Sequence, residues 1–264
     1  MAAPKLYRRL ATGLAFAVFG GLGVFFQFLI FPGIVLVIRN KARRKILARR
    51  VIHLTFKWFI AFIRAIGILD WKAENLEKLQ KPGQLILANH LTLIDVVFLF
   101  SFVPNACAII KSGLAKNPFT WGAVYAAEYI TNDSGPELIE DCVKELKSGA
   151  SLIIFPEGTR TPQGQVPKLK HGAMITAFES DIDPTLVKIT CEPLSLTKGA
   201  HWWDVPEKPM FFTFSVLGQL SVEPYRTLYK NSAPKAVRAL SREIFGVLFP
   251  DFVNKQSEKG TDNV

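Results

Sequence analysis

The chain has 264 residues, of which 49% are hydrophobic, and its formal net charge at pH 7 is +10. This length allows one sizeable core, and the mean hydropathy of +0.22 exceeds that of an ordinary soluble domain, so we expect part of the chain to lie in lipid. The three cysteines, Cys107, Cys142 and Cys191, have no paired spacing, which argues against a disulfide framework and against a cysteine metal site.

The first predicted element is the uncharged apolar run of residues 13–38, which is longer than the roughly 20 residues that a bilayer span requires. A cleaved signal peptide is the alternative, but the run is about twice as long as the apolar region of a signal peptide. No small-residue cleavage site precedes the basic block that follows the run. Pro32 and Gly33 allow a kinked span or a re-entrant helical hairpin. More Lys and Arg residues follow the run than precede it. If the run spans, the rest of the chain therefore faces the cytoplasm, at the inner membrane in a bacterium.

A basic cluster follows the apolar run directly, and this position favours contact with anionic lipid headgroups. Nucleic acid is the poorer interpretation, because no zinc-finger spacing or aromatic RNA-binding motif accompanies the cluster. The next segment, residues 51–71, carries two cations among aromatic and branched side chains and is predicted to be interfacial. We therefore expect residues 1–71 to form membrane-anchoring helices. The cluster consists of Arg39, Lys41, Arg43, Arg44, Lys45, Arg49 and Arg50.

From residue 72 onward, short apolar runs alternate with segments of helical periodicity. This alternation predicts an α/β domain over residues 72–250, with a largely parallel sheet flanked by helices, followed by a polar tail over residues 251–264. The predicted strands are residues 84–89, 106–111, 129–131, 150–155, 185–190 and 208–220; the predicted helices are residues 91–103, 118–128, 134–149, 172–180 and 233–249. In such sheets, ligands bind beyond the carboxyl ends of the strands.

One polar interruption follows the predicted strand at residues 84–89, where the sequence "LILANHLTLIDVV" places His90 and Asp95 between two apolar runs. A histidine can accept a proton at neutral pH, and a carboxylate on its other ring nitrogen fixes the tautomer and stabilises the imidazolium. The chain has no Gly-x-Ser-x-Gly motif and hence no evident serine nucleophile. We therefore expect His90, oriented by Asp95, to deprotonate a hydroxyl that belongs to the substrate.

A second interruption, "FPEGTR" at residues 155–160, follows the predicted strand at residues 150–155. The turn brings the carboxylate of Glu157, the backbone at Gly158, the Thr159 hydroxyl and the Arg160 guanidinium into one small volume. A guanidinium offers a fork of donors suited to phosphate or carboxylate oxygens. These residues therefore predict a binding site for an anionic group.

Together, and in this order, the two motifs resemble those of the lysophospholipid and glycerol-phosphate acyltransferase family, of the 1-acylglycerol-3-phosphate acyltransferase type. The resemblance covers residues 85–193 and fits the apolar amino terminus. It implies a membrane-bound O-acyltransferase in which an acceptor hydroxyl, deprotonated by His90 with Asp95, attacks an acyl thioester. It also implies that Arg160 contacts the phosphate of the acceptor. The substrate-binding residues expected from the resemblance are Glu157, Gly158, Thr159, Arg160, Lys111 and Lys170.

The implied partners are a membrane, a lipid acceptor, and either acyl-CoA or an acyl carrier protein as donor. Neither a metal, another cofactor nor a nucleic acid is expected. Family members that use glycerol phosphates usually carry an Ile-Asp-Arg-like step where this chain has "YITND", with Asn132 and Asp133. The acceptor therefore stays open between a phosphate and a non-phosphate lipid. A membrane-anchored lipid-binding protein without turnover is the alternative of another class, although it needs no base such as His90.

Overall fold

The computed structural model describes residues 4–118, 120–133, 135 and 137–253. Within these residues the chain forms one seven-stranded sheet in the order β1-β7-β6-β2-β5-β3-β4. Five of the six neighbouring pairs are parallel, and only β6 and β7 run antiparallel. The strands are β1 (Leu69–Glu74), β2 (Leu85–Ala88), β3 (Ala106–Ile110), β4 (Ile130–Thr131), β5 (Ser151–Ile154), β6 (Thr185–Glu192) and β7 (Met210–Gln219).

Helices cover both faces of this sheet. The described part of the chain contains α1 (Lys5–Phe25), α2 (Phe31–Val37), α3 (Lys41–Ala65), α4 (Asp95–Phe102), α5 (Ser112–Lys116), α6 (Trp121–Ala127), α7 (Glu137–Lys147), α8 (Gly172–Ser180), α9 (Glu223–Leu228) and α10 (Ala233–Leu248). A π-helical segment, Phe26–Ile30, joins α1 to α2, and a short 3₁₀ helix, Leu76–Gln80, follows β1. The predicted α/β fold with a largely parallel sheet flanked by helices is confirmed.

Two apolar cores lie on opposite faces of the sheet. Successive side chains of a strand point to opposite faces, so the fully buried β2 supplies Ile86 to one core and Leu85 with Leu87 to the other. The first core packs against α3, α4 and α6, and the second against α7, α8 and α10. Because helices cover both faces of the sheet, a ligand can reach the sheet only at the edge formed by the strand ends.

The amino-terminal apolar run forms one continuous helical segment rather than a hairpin, since α1, the π-helical segment and α2 follow each other without a break through Pro32. Within the described residues, Lys5–Val37 is the one stretch long and apolar enough to cross a membrane. Its 33 residues correspond to a length of about 50 Å, more than the roughly 30 Å hydrocarbon core requires. Burial is low over its most apolar part, which is typical of a helix that faces lipid.

Part of the basic cluster lies inside the protein instead of facing headgroups. The Arg49 side chain is 1% exposed and donates to a carboxylate oxygen of Glu145 over 2.9 Å and to the Ala127 carbonyl over 3.0 Å. Lys45 also pairs with Glu145, over 2.6 Å. A buried guanidinium is tolerated only when its donors are satisfied, and these contacts satisfy them. They tie α3 to α6 and α7.

Three segments differ from their sequence-based prediction. The helix predicted over residues 91–103 begins only at Asp95, and the one predicted over residues 118–128 begins at Trp121. The segment predicted as interfacial, residues 51–71, ends in β1, and α3 contributes buried side chains to the first core. The division at residues 71/72 stays a prediction. Ser134 and Pro136, at the start of the predicted helix over residues 134–149, and the tail from residue 254 lie outside the described residues.

Candidate active site

The two predicted motifs meet at the carboxyl ends of neighbouring parallel strands. His90 follows β2 by two residues, the "FPEGTR" loop at residues 155–160 follows β5, and Lys111 directly follows β3. These strands are adjacent in the order β2-β5-β3. The topology therefore brings the residues that follow them to one edge of the sheet, where α/β sheets place their ligands.

A side-chain clamp fixes the start of the histidine loop. The buried amide of Asn89 donates to the Ile189 carbonyl over 2.8 Å and accepts from the Ile189 amide over 2.7 Å. This pair replaces the backbone ladder where β2 ends beside β6. The chain therefore leaves the sheet at a defined point, one residue before His90.

His90 and Asp95 form the expected pair. The imidazole Nδ1 lies 3.0 Å from Oδ2 of Asp95, and the Asp95 side chain is fully buried, whereas that of His90 is 14% exposed. The imidazole also stacks on Phe155, with ring centroids 4.2 Å apart. No partner for Nε2 is found among the described residues. With the proton on Nδ1, the other nitrogen is left to accept a proton.

The buried Asp95 carboxylate is surrounded by donors. Besides the imidazole, Oδ2 accepts from the amides of Leu91 and Thr92, each over 2.7 Å, and Oδ1 accepts from the Thr92 hydroxyl over 2.6 Å. These four donors offset the cost of removing a negatively charged carboxylate from water, so Asp95 is stable in its fully buried position. The same bonds form the turn that delays α4 until Asp95.

Glu157 lies below the surface and links the two motifs. Its Oε1 accepts from the His90 amide over 2.6 Å, and its Oε2 accepts from the Thr161 hydroxyl. Burial raises the pKa of the Glu157 carboxyl, while these two hydrogen bonds oppose that rise. Glu157 is 5% exposed, and both of its carboxylate oxygens already accept hydrogen bonds. Its side chain therefore holds the two loops in position.

Gly158 allows Lys170 to cross the loop. A Cβ at position 158 would lie 2.7 Å from Cε and 2.9 Å from Nζ of Lys170, and Gly158 has φ +69°, a conformation that side chains disfavour. The Lys170 amide donates to the Pro156 carbonyl over 2.8 Å. The ammonium group thus lies beside the loop at Gly158, and the following residue, Thr159, is exposed.

Arg160 turns toward the loop that follows β6. Its Nη1 donates to the carbonyls of Leu196 and Thr197, over 3.0 and 3.2 Å. The Leu196 carbonyl also accepts from the Leu93 amide over 3.0 Å, which ties this loop to the histidine turn. The guanidinium is therefore oriented by the protein, and Nη1 is only one of its three nitrogens.

The segment that departs from the family pattern lies on the opposite side of His90 from Arg160. Asn132 accepts from the Ser112 amide over 3.0 Å and so joins the end of β4 to α5. The pKa of the exposed Asp133 carboxyl is lowered, chiefly by hydrogen bonding to Thr131. Three strand spacings separate β4 from β2, which is about 14 Å.

Sequence reasoning missed several parts of this arrangement. Thr92 could have been found, because a threonine three residues before an aspartate is typical of a side-chain-capped turn. Phe155 lies within the second motif, but its ring stacks on the distant His90. Thr161 follows the motif, and its hydroxyl donates to Glu157 in the same loop. Leu196 contributes only its carbonyl, which leaves no signal in the sequence.

Comparison with known proteins finds a family model that matches the central part of the chain. Residues 70–195, nearly half of the chain, match the family model described as Acyltransferase. The 1-acyl-sn-glycerol-3-phosphate acyltransferase of Pseudomonas aeruginosa is 28% identical over 160 residues, which are 58% of this chain and 60% of that protein. The enzyme of the same name from Helicobacter pylori is 34% identical over 126 residues, or 43% of this chain and 53% of that protein. The chain thus spans between half and two thirds of these curated relatives.

A solved structure shares the fold of almost the whole chain. The 1-acyl-sn-glycerophosphate acyltransferase PlsC from Thermotoga maritima superposes with a TM-score of 0.63 at 20% identity, covering 92% of this chain and 95% of that one. The family resemblance indicated by the two motifs is confirmed for residues 70–195, and the fold is confirmed over a longer stretch.

Proposed function

We propose that this chain, whose residues 70–195 match the acyltransferase family, moves a fatty acyl group from an acyl thioester to the hydroxyl of a lysophospholipid or glycerol-phosphate acceptor at a membrane. The observation that carries the proposal is the contact between His90 and the buried Asp95, at 3.0 Å, on the ligand-binding edge of the sheet. The curated relatives, which are named for this reaction, support it.

The His90–Asp95 pair supplies the proton transfers that the reaction requires. Nε2 of His90 takes the proton of the acceptor hydroxyl while the hydroxyl oxygen forms a bond to the thioester carbon. The tetrahedral intermediate then collapses, the carbon–sulfur bond breaks, and the imidazolium returns the proton to the leaving thiolate. Asp95 keeps Nδ1 protonated and stabilises the imidazolium between the two steps. Both residues are proposed as catalytic.

The acceptor phosphate is assigned to Arg160, with Lys170 and Lys111 as further cations on the same edge. The guanidinium is held by the Leu196 and Thr197 carbonyls and keeps other N–H groups for phosphate oxygens. Thr159 is exposed in the same loop, and Gly158 leaves the space that the Lys170 side chain occupies. Glu157 acts as a positioning residue, since its oxygens are engaged by His90 and Thr161.

A non-phosphate acceptor is the second candidate, and Asp133 is the observation that favours it. A carboxylate close to a phosphate would repel it. However, Asp133 follows β4 at the edge of the sheet, and Arg160 lies toward β6 on the other side of His90. This separation favours the phosphate acceptor.

The donor is assigned to the basic cavity at the start of α8. The cavity has a volume of about 360 Å³ and is lined by His171, Arg238, Ser241 and Arg242. His171 follows Lys170, so the cavity adjoins the loop at residues 155–160. Its cations suit the phosphates of acyl-CoA or the acidic surface of an acyl carrier protein.

The membrane assignment rests on Lys5–Val37, which is long and apolar enough to span. Arg8 lies beside Lys208 and Gln27 accepts from the Gly122 amide, so both halves of this segment contact the domain, which favours insertion into one leaflet over a full crossing. The excess of Lys and Arg after the run favours the anionic cytoplasmic leaflet, at the inner membrane in a bacterium.

The direct test is acyl transfer by the purified full chain. The protein is mixed with lysophosphatidate or with monoacylglycerol, and with acyl-CoA or acyl carrier protein, and the lipid products are identified by mass spectrometry. Phosphatidate formation that is lost in His90→Ala is the expected result. Lipid binding without any product from the four combinations would instead support a non-catalytic lipid-binding protein. Product from monoacylglycerol alone would select the second candidate.

A further inference from the structure

An arginine near the start of the apolar helix is buried, and two of its three side-chain nitrogens have no partner in the part of the chain that the structure describes. Arg8 is 5% exposed, and both Nε and Nη1 are inaccessible and have no hydrogen-bond partner among the described residues. A buried charge without donors and acceptors around it is costly, and such groups are normally paired. Thr12, one helical turn later on α1, is buried beside it.

Arg8 lines a small cavity between α1 and the loop that joins β6 to β7. The cavity has a volume of about 20 Å³, and its lining also includes Thr12, Ser195, Trp202 and Lys208. One water molecule needs about 10–15 Å³ of such a cavity, so this cavity admits one or two polar atoms of a ligand. No carboxylate is among the described residues that line it, whereas Lys208 adds a second cation. The charge of this lining therefore favours a negatively charged oxygen atom.

The location of the cavity indicates where such an anion comes from. Trp202 packs on α1, with a ring centroid 6.0 Å from that of Phe16 and its ring 3.3 Å from a Cβ placed at Gly13. Trp202 and its neighbour Trp203 are nevertheless 42% and 45% exposed. Exposed indole rings beside an apolar helix are typical of the boundary between bilayer and water, where lipid phosphates lie.

We infer that this cavity binds the phosphate group of an anionic membrane phospholipid, with phosphate oxygens accepting hydrogen bonds from the Arg8 guanidinium and the Lys208 ammonium at its rim. The site is separate from the acyl-transfer edge: Leu196 lines the cavity, while its carbonyl faces Leu93 and Arg160. The inference does not depend on the proposed function, because it concerns binding alone.

The test uses the full chain in maltoside micelles, which contain no phosphate, and follows the midpoint of thermal unfolding. Phosphatidylglycerol is added in one series, inorganic phosphate in a second, and an uncharged galactolipid in a third. A ligand at about 100 times its Kd should raise the midpoint by about 5–10 °C for a protein of this size. We expect this rise with phosphatidylglycerol and not with the galactolipid. An equal rise with inorganic phosphate would overturn the assignment to a lipid.

The matched variants are Arg8→Met and Arg9→Met, because Arg9 is the exposed neighbour on the same helix and loses the same charge. Arg8→Met should abolish the rise caused by phosphatidylglycerol, and Arg9→Met should keep it. Without lipid, Arg8→Met should unfold no earlier than the unmodified protein, since an unpaired buried charge has been removed. A rise retained in Arg8→Met, or lost equally in both variants, would refute the site.

Lys208→Met provides a variant at the rim, where folding is not at risk because the side chain is exposed. It should raise the phosphatidylglycerol concentration needed for half of the rise by about 5- to 10-fold, the effect of one charge-assisted hydrogen bond at a partly exposed site. An unchanged half-maximal concentration would show that the anion does not lie in this cavity.

Discussion

The amide of His90 donates a 2.6 Å hydrogen bond to the carboxylate of Glu157, so the two motifs, 67 residues apart, are joined by a direct bond. A second bond, from the Thr161 amide to the His90 carbonyl, closes the link in the other direction over 3.4 Å. The loop with the base and the loop with Arg160 therefore form one unit. Displacement of either loop changes the distance between the base and the assigned phosphate site.

Replacement of His90 by alanine should reduce kcat by about 10²- to 10⁴-fold, because base catalysis typically contributes that much. Membrane association should be unchanged, since Lys5–Val37 is intact. The measurement is product formation by the purified variant, with vesicle sedimentation alongside. His201→Gln is the control: it removes an exposed histidine outside the site and should keep full activity. Unimpaired transfer by His90→Ala would refute the mechanism.

Asp95→Asn should lower kcat by up to about 10⁴-fold, because an amide stabilises the wrong tautomer of His90. The variant should also lose about 1–3 kcal/mol of unfolding free energy, since its NH₂ group meets the donors of Leu91 and Thr92. Thr92→Val separates the two effects. It removes the donor to Oδ1 but leaves the contact with His90, so it should cost stability with a smaller loss of kcat. The opposite order of kcat values would argue against tautomer control.

Glu157→Gln should alter how stability depends on pH. Burial raises the pKa of Glu157 in the folded state, so the folded protein binds a proton more tightly than the unfolded chain. Stability from this group is present below the unfolded pKa of about 4.3 and is lost as pH rises through the folded value. The glutamine side chain does not titrate, so the variant should gain stability relative to the unmodified protein across that window.

Urea unfolding in detergent at a series of pH values from about 4 to 7 measures this difference. Glu77→Gln, at an exposed position, should show the pH dependence of the unmodified protein. If Glu157→Gln follows the same pH dependence as Glu77→Gln, the carboxyl of Glu157 does not titrate as its burial requires.

Arg160→Ala should reduce kcat/KM for lysophosphatidate by about 10- to 100-fold, the range for hydrogen bonds to a charged group. Its effect on monoacylglycerol reports the loss of the Leu196 and Thr197 contacts alone. Asp133→Arg should change the ratio of the two kcat/KM values less than about threefold, because charge reversal at about 14 Å in water is worth only about 0.6 kcal/mol. A larger change would place Asp133 in the acceptor pocket.

The parts of the fold predicted from sequence are those set by local pattern. The run that became β2 is apolar throughout, the run that became β5 contains one polar residue, Ser151, and both strands are fully buried. Their carboxyl ends then place His90 and the loop at residues 155–160 together without further information. The start of α4 was not predictable from periodicity, because the Asp95 carboxylate binds the preceding amides and holds residues 91–94 in a turn.

The remaining parts depend on contacts between distant residues. The antiparallel direction of β7 follows from where the long loop after β6 returns to the sheet, which no local pattern specifies. Arg49 looked like its basic neighbours, yet its partner Glu145 lies 96 residues away. Leu196 accepts hydrogen bonds from Arg160 and Leu93 through its backbone carbonyl. Any residue type supplies that carbonyl, so the sequence does not indicate these contacts.

The loop between β6 and β7 contacts the apolar helix at Trp202 and the histidine turn at Leu196, only six residues apart. His90 is therefore held at a fixed distance from the apolar helix, which we propose contacts lipid. With the proposed lipid acceptor, this fixed distance would allow a hydroxyl to reach Nε2 only at one depth relative to the bilayer. Positional choice between two hydroxyls of one glycerol backbone would then follow from distance to the bilayer, without any group that recognises one carbon over its neighbour.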